Sequence, residues 1–116
     1  NVNSVWYALE CANAPVIWIA GGIDKGNDYS TLLPLVRDKV KHLICMGKNN
    51  AKLHAAFDDL VESSWDVSSA EEAVAKAYEL GLPGETALLS PACASFDLFG
   101  SYEPRGRAFK AAVRQL

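Results

Sequence analysis

The stretch Pro15-Val16-Ile17-Trp18-Ile19-Ala20-Gly21-Gly22, "PVIWIAGG", decides the fold. Five apolar residues follow one another without a charge and stop at a glycine pair. A run this short, rich in branched residues, suits a strand covered on both faces, which is the habit of a parallel sheet. Two further runs have the same form, "HLICMG" (42–47) and "TALLS" (86–90). A more polar run, "VESSWDV" (61–67), reads as a fourth strand nearer an edge.

Helical patterns fill the gaps. Leu53, Ala56, Phe57 and Leu60 recur at i, i+3, i+4 and i+7, with Asn49 or Asn50 placed to cap. Ser68-Ser69-Ala70-Glu71 reads as a capping box ahead of Ala70, Ala73, Val74 and Ala77, and Gly81 with Pro83-Gly84 ends that helix. Another helix is expected from about Ser30 to Lys41, with Pro34 near its first turn. Asn3 or Ser4 is placed to cap a first helix containing Val5, Trp6 and Leu9, and Phe109, Ala112, Val113 and Leu116 mark a last one. The order α-β-α-β-α-β-α-β-loop-α implies right-handed crossovers: an α/β domain with an open, mostly parallel sheet and helices on both faces.

Bulk properties fit one such unit. The chain has 116 residues, half of them hydrophobic, and a formal charge of -3; its mean hydropathy is +0.03 and its pI is near 5.3. No cluster of Lys and Arg is present to neutralise successive phosphates, which argues against a nucleic-acid partner. The uncharged stretch Cys11 to Ile23 falls short of the roughly 20 residues a bilayer requires. No basic and apolar leader opens the chain, so no secretory signal and no membrane partner are expected. Cys11, Cys45 and Cys93 form no Cys-x-x-Cys pair and read as reduced, buried thiols of a cytoplasmic protein. The chain opens on Asn1 in what reads as mid-sequence, as an excised domain would.

Ligands of open α/β sheets bind beyond the carboxyl ends of the strands. Three segments lie there: "GGIDKGNDYS" (21–30), "MGKNN" (46–50) and "SPACASFDLFGSYEPRG" (90–106). In the first, Gly21 and Gly26 have phosphate-loop spacing, but Asn27 follows and Lys25 comes one place early, so no nucleoside triphosphate site results. Lys25 is either a solvated loop lysine or a point charge for an anion. "MGKNN" reads as a strand-to-helix turn with Lys48 at the surface. His42 and His54 sit on different elements with no Cys or carboxylate at ligand spacing, so neither a metal site nor a Ser/His/Asp set is expected. Asp58-Asp59 reads as a solvated face.

The third segment is the most informative. Pro91, Ala92, Cys93 and Ala94 let a backbone approach a ligand closely. If Ser95 to Leu98 begin a helical turn, the N–H groups of Ser95, Phe96 and Asp97 form, with the serine hydroxyl, a carboxylate or phosphate cradle. The other reading is a capped turn with Phe96, Phe99 and Tyr102 packed together.

In order and spacing, "NVNSVWYALE" (1–10), "IWIAGGIDKGNDYS" (17–30), "LLSPACASFDLF" (88–99) and "YEPRGRAFKAAV" (102–113) resemble the C-terminal domain of the Mur ligases, in particular their D-glutamate-adding branch. The resemblance spans essentially the whole chain and implies a Rossmann-like domain that brings the incoming amino acid. The N-terminal and central domains of the same chain would hold the UDP-sugar and, with Mg, ATP; neither cofactor is expected on this domain. It implies that ATP phosphorylates the substrate carboxylate and that the D-glutamate amine attacks the acyl phosphate. By motif position, Lys25 pairs with a D-glutamate carboxylate, Ser95 and Phe96 supply a hydroxyl and a backbone N–H, and Tyr102 offers a backbone amide. Tyr102 stands where the family has another aromatic residue, and Phe96 where some members have Leu. No catalytic residue and no metal ligand is expected in this domain, which would act as part of a monomeric enzyme and be inactive alone. Two alternatives stand beside this reading: a sibling ligase adding another amino acid, though the arginine-bearing loop of the diamino-acid branch is missing, and a non-catalytic module that binds small anions.

Overall fold

A computed structural model describes residues 2–21 and 28–89 with their side chains, and 94–97 as backbone. The chain runs through helix α1 (Val2–Cys11), strand β1 (Val16–Ala20), a 3-10 turn (Ser30–Leu32), α2 (Leu33–Lys39), β2 (Val40–Met46), α3 (Ala51–Phe57), a second 3-10 turn (Asp58–Leu60), β3 (Ser63–Val67), α4 (Ala70–Leu80), β4 (Thr86–Leu89) and β5 (Ala94–Asp97). The sheet order is β3-β2-β1-β4-β5. The first four strands are parallel and β5 is antiparallel to β4.

All five β1 residues are buried. Successive side chains point to opposite faces, and here they enter two separate cores. Val16, Trp18 and Ala20 join Val5 and Leu9 of α1, Leu32 and Val36 of the α2 region, and Leu53 and Phe57 of α3. Ile17 and Ile19 join Ile44, Val67, Ala87, Leu89 and the Ala73-Val74-Ala77 stripe of α4. Trp18 meets Phe57 edge-on, with ring centroids 5.2 Å apart. Each large side chain buried in this way contributes about 1.5–3 kcal/mol.

Several boundaries differ from the sequence reading. The helix expected over 30–41 begins as a 3-10 turn and stops at Lys39, because Val40 pairs with Val16 and the Lys41 carbonyl accepts from the Glu62 N–H at 2.8 Å. Sheet pairing captures these two residues before another helical turn can form. The α4 box lies one residue later than read: Ser69 is the N-cap and its hydroxyl accepts from the Glu72 N–H at 3.1 Å, while Ser68 donates to the Glu72 carboxylate at 3.1 Å. Helix α1 is already under way at Val2, so neither Asn3 nor Ser4 caps it. The amphipathic segment at 109–116 lies outside the described residues.

The carboxyl end of α1 is held by one cation. Lys39 Nζ donates to the carbonyls of Leu9, Glu10 and Ala12 at 2.9, 2.7 and 3.0 Å. They lie at the carboxyl end of the helix, the negative pole of its dipole, where carbonyls run short of intrahelical donors; the Leu9 carbonyl also accepts from the Ala12 N–H at 3.3 Å. Lys39→Met keeps the stem and removes the charge. It is expected to destabilise the protein by about 1.5–3 kcal/mol, the range for hydrogen bonds to charged groups, read as a lower thermal midpoint with unchanged helix content elsewhere.

Candidate functional site

The topology marks one edge of the sheet. From β1 the chain moves outward to β2 and β3, whereas β4 returns to the opposite flank of β1. The switch point therefore falls between β1 and β4, where an open α/β sheet forms its ligand crevice beyond the carboxyl ends. These strands end together, with Ile19 beside Leu89. Gly21, which follows β1, and Leu89, the last residue of β4, thus lie at neighbouring strand ends on one edge. Gly21 belongs there for a steric reason: a Cβ on it would stand 2.5 Å from the Met46 carbonyl oxygen at the end of β2. This glycine is packed against backbone.

Of the site residues read from the sequence, Lys25 and Tyr102 lie outside the described residues. Ser95 and Phe96 are described as backbone only, in β5, where Ser95 pairs with Leu88 and Phe96 with Ala87. The helical turn expected at 95–98 is therefore a strand over 94–97. Pairing covers the edge of β4, which would otherwise present a row of unpaired main-chain groups. It also changes the count of free donors. Successive N–H groups of a strand point to opposite sides, so of the Ser95 and Phe96 N–H groups one faces β4 and the other faces away.

Next to segment 21–30 is an open cleft of about 550 Å³, lined by Asp28, Tyr29, Ser30, Leu33, Lys52 and Ala55–Ala56. Asp28 accepts from the Ser30 N–H at 2.9 Å, a bond that holds its carboxyl below the usual range. A slightly larger cleft of about 620 Å³, with Arg37, Asp38, Lys41 and Glu62 on its walls, opens at the amino ends of β1, β2 and β3. There Lys41 is paired with the buried Glu85 at 2.9 Å. Topology favours the smaller cleft despite the difference in volume, because it adjoins the carboxyl edge.

On that edge, one strand further out, a polar cluster had no signal in the sequence. Cys45 on β2 and Asp66 on β3 are register partners. His54 of α3 reaches them, its Nε2 2.8 Å from Asp66 Oδ1 and its Nδ1 2.8 Å from Asp58 Oδ1. Asn50 stands at the N-cap of α3 but makes no side-chain cap bond; its Nδ2 donates instead to Asp66 at 2.9 Å and to the Gly47 carbonyl at 3.2 Å, while Asn49 accepts from the Ala51 N–H at 3.1 Å. Asp58 is thus a partner of His54 rather than a merely solvated charge. The Asp66 and Asp58 bonds raise the His54 pKa, and the His54 and Asn50 bonds lower that of Asp66. Burial, then the two carboxylates, push the Cys45 thiol up to about 12. Cys45 is a buried free thiol as expected, but Cys11 is exposed and unpaired. No described helix is long and apolar enough to cross a membrane.

The His54 shift has a definite sign. A histidine whose folded pKa exceeds its unfolded value stabilises fully below the unfolded value, about 6.5, and loses that contribution as pH rises through the folded value. In chelator-containing buffer, stability is therefore expected to fall as pH rises above about 6.5. Asp66→Asn should flatten that limb in denaturant titrations at stepped pH.

The chain is similar over its whole length to proteins named UDP-N-acetylmuramoylalanine--D-glutamate ligase. The identity is 54% over 116 residues with that of Christiangramia forsetii, 53% with that of Porphyromonas gingivalis and 43% with that of Salinibacter ruber. It spans about a quarter of these relatives' length, 26% for the first two and 25% for the third. No protein-family model matches the chain. The resemblance read from the loop residues thus agrees with full-chain similarity, and the chain is homologous throughout to a domain-sized part of the UDP-N-acetylmuramoylalanine--D-glutamate ligases.

Proposed function

We propose that this chain is the C-terminal, amino-acid-binding domain of an ATP-dependent ligase that joins D-glutamate to UDP-N-acetylmuramoyl-L-alanine in peptidoglycan synthesis. The observation that carries the reading is similarity at 43–54% identity along the entire chain to proteins named for that activity. The switch point between β1 and β4 supports it, since the Lys25 segment and the segment leading to Ser95 are rooted on adjacent strand ends.

In this reading Lys25 pairs with one carboxylate of D-glutamate, while Ser95, the outward-facing N–H of the Ser95-Phe96 pair and the Tyr102 amide hold the other end. The amine then points away from the domain toward an acyl phosphate formed elsewhere in the chain. The domain's contribution is orientation, and holding two reactants in attack geometry is worth about 7–11 kcal/mol. ATP and Mg belong to the other domains, because the residues here do not fit them. The Gly21–Gly26 spacing lacks its Lys-Ser/Thr. By itself the domain is inactive. The enzyme is cytoplasmic and monomeric.

Two substitutions in the complete ligase test the assignment. Lys25→Ala is expected to raise the KM for D-glutamate by ten-fold or more and leave the KM for ATP unchanged; equal effects on both remove Lys25 from the site. Ser95→Ala is expected to weaken D-glutamate binding by about 1.5–3 kcal/mol through loss of a charge-assisted hydrogen bond. A lowered melting temperature with binding intact would instead make Ser95 structural.

A further inference from the structure

We propose that Cys45, His54 and Asp66 form a binding site for a zinc-class divalent cation, with Asp58 and Asn50 orienting two of its ligands. The thiol sulfur, one imidazole nitrogen and one carboxylate oxygen lie within 4.8 Å of one another. They come from β2, α3 and β3, three elements that the β2–β3 pairing and the packing of Leu53 and Phe57 fix in place.

The arrangement around the donors separates this cluster from an ordinary ion pair. His54 Nδ1 is engaged by Asp58 at 2.8 Å, which directs Nε2 toward Asp66 and Cys45. A carboxylate behind the far nitrogen is the usual support of a metal-bound histidine, fixing its tautomer and ring orientation. Asn50 Nδ2 donates to Asp66 Oδ1, the oxygen that also faces His54 Nε2, and so holds that carboxylate in place. Without a metal, the Nε2–Oδ1 contact of 2.8 Å is bridged by a proton. A cation replaces that proton. Two ligands at about 2.0–2.1 Å from a tetrahedral ion stand roughly 3.3 Å apart, so the pair opens by about half an ångström.

Charge and access are consistent with the exchange. When His54 donates to both carboxylates it is an imidazolium, and the neighbouring thiol is neutral. Binding releases the Nε2 proton and the thiol proton to solvent as two positive charges enter, leaving the net charge of the site unchanged. Thiolate and imidazole donors select zinc or cobalt over magnesium or calcium. Cys45 is fully buried, whereas the Asp66 side chain is 63% exposed, so an ion enters from the Asp66 side and keeps a water on its fourth position.

The test is a titration of the full chain, reduced and stripped with chelator, using Co²⁺ alone and then Zn²⁺. One equivalent of Co²⁺ is expected to give tetrahedral d–d absorption with a thiolate charge-transfer band, both abolished by one equivalent of Zn²⁺. Cys45→Ser should remove the charge-transfer band. Because Cys45 is a core residue, Asp66→Asn at the exposed carboxylate and Asp58→Asn behind the histidine carry the test if that variant fails to fold. Each is expected to weaken Co²⁺ binding by about 10–100-fold. Absence of the charge-transfer band in the parent chain overturns the proposal. So does a band that persists at unchanged affinity in both aspartate variants, which would assign it to Cys11 or Cys93.

Discussion

Everything in this fold depends on β1 being dry on both sides. Val16 to Ala20 are buried without exception, and their alternation divides five residues between two cores. Trp18 already brings one polar atom inside, its Nε1, which has no hydrogen-bond partner among the described residues; a further unsatisfied group would cost about 1–3 kcal/mol. Covering both faces requires helices on both faces, and parallel partners require crossovers. Those crossovers bring the loops to a common edge. The switch point is thus a consequence of the burial of one strand, and the candidate site follows from the switch point.

What could be read in advance was what local periodicity encodes. Three charge-free runs became the three inner strands, and the polar run at 61–67 became the outer strand β3, with Trp65 partly exposed over Lys76. The errors fell where tertiary pairing outweighs local preference. Val40 and Lys41 left their helix for the sheet, and Ala94–Asp97 became a strand because β4 had an open edge to fill. The cluster of Cys45, His54 and Asp66 was beyond sequence reasoning for a related reason. Its members are 9 and 12 residues apart, match no ligand motif, and meet only because β2 and β3 pair in one particular register.

The edge therefore carries two kinds of chemistry side by side. Over β1 and β4 lies the switch point to which the proposed D-glutamate site is assigned. Over β2 and β3 the edge offers a thiol, an imidazole and carboxylates, a softer and more anionic set.

The narrow gap at Gly21 connects the two. Its α-carbon lies against the Met46 carbonyl, one residue beyond Cys45. Any side chain introduced there acts as a wedge, spreading the tips of β1 and β2 and shifting the strand end that carries Cys45. A mutational scan would then score this glycine as intolerant of substitution, through the sheet rather than through any ligand.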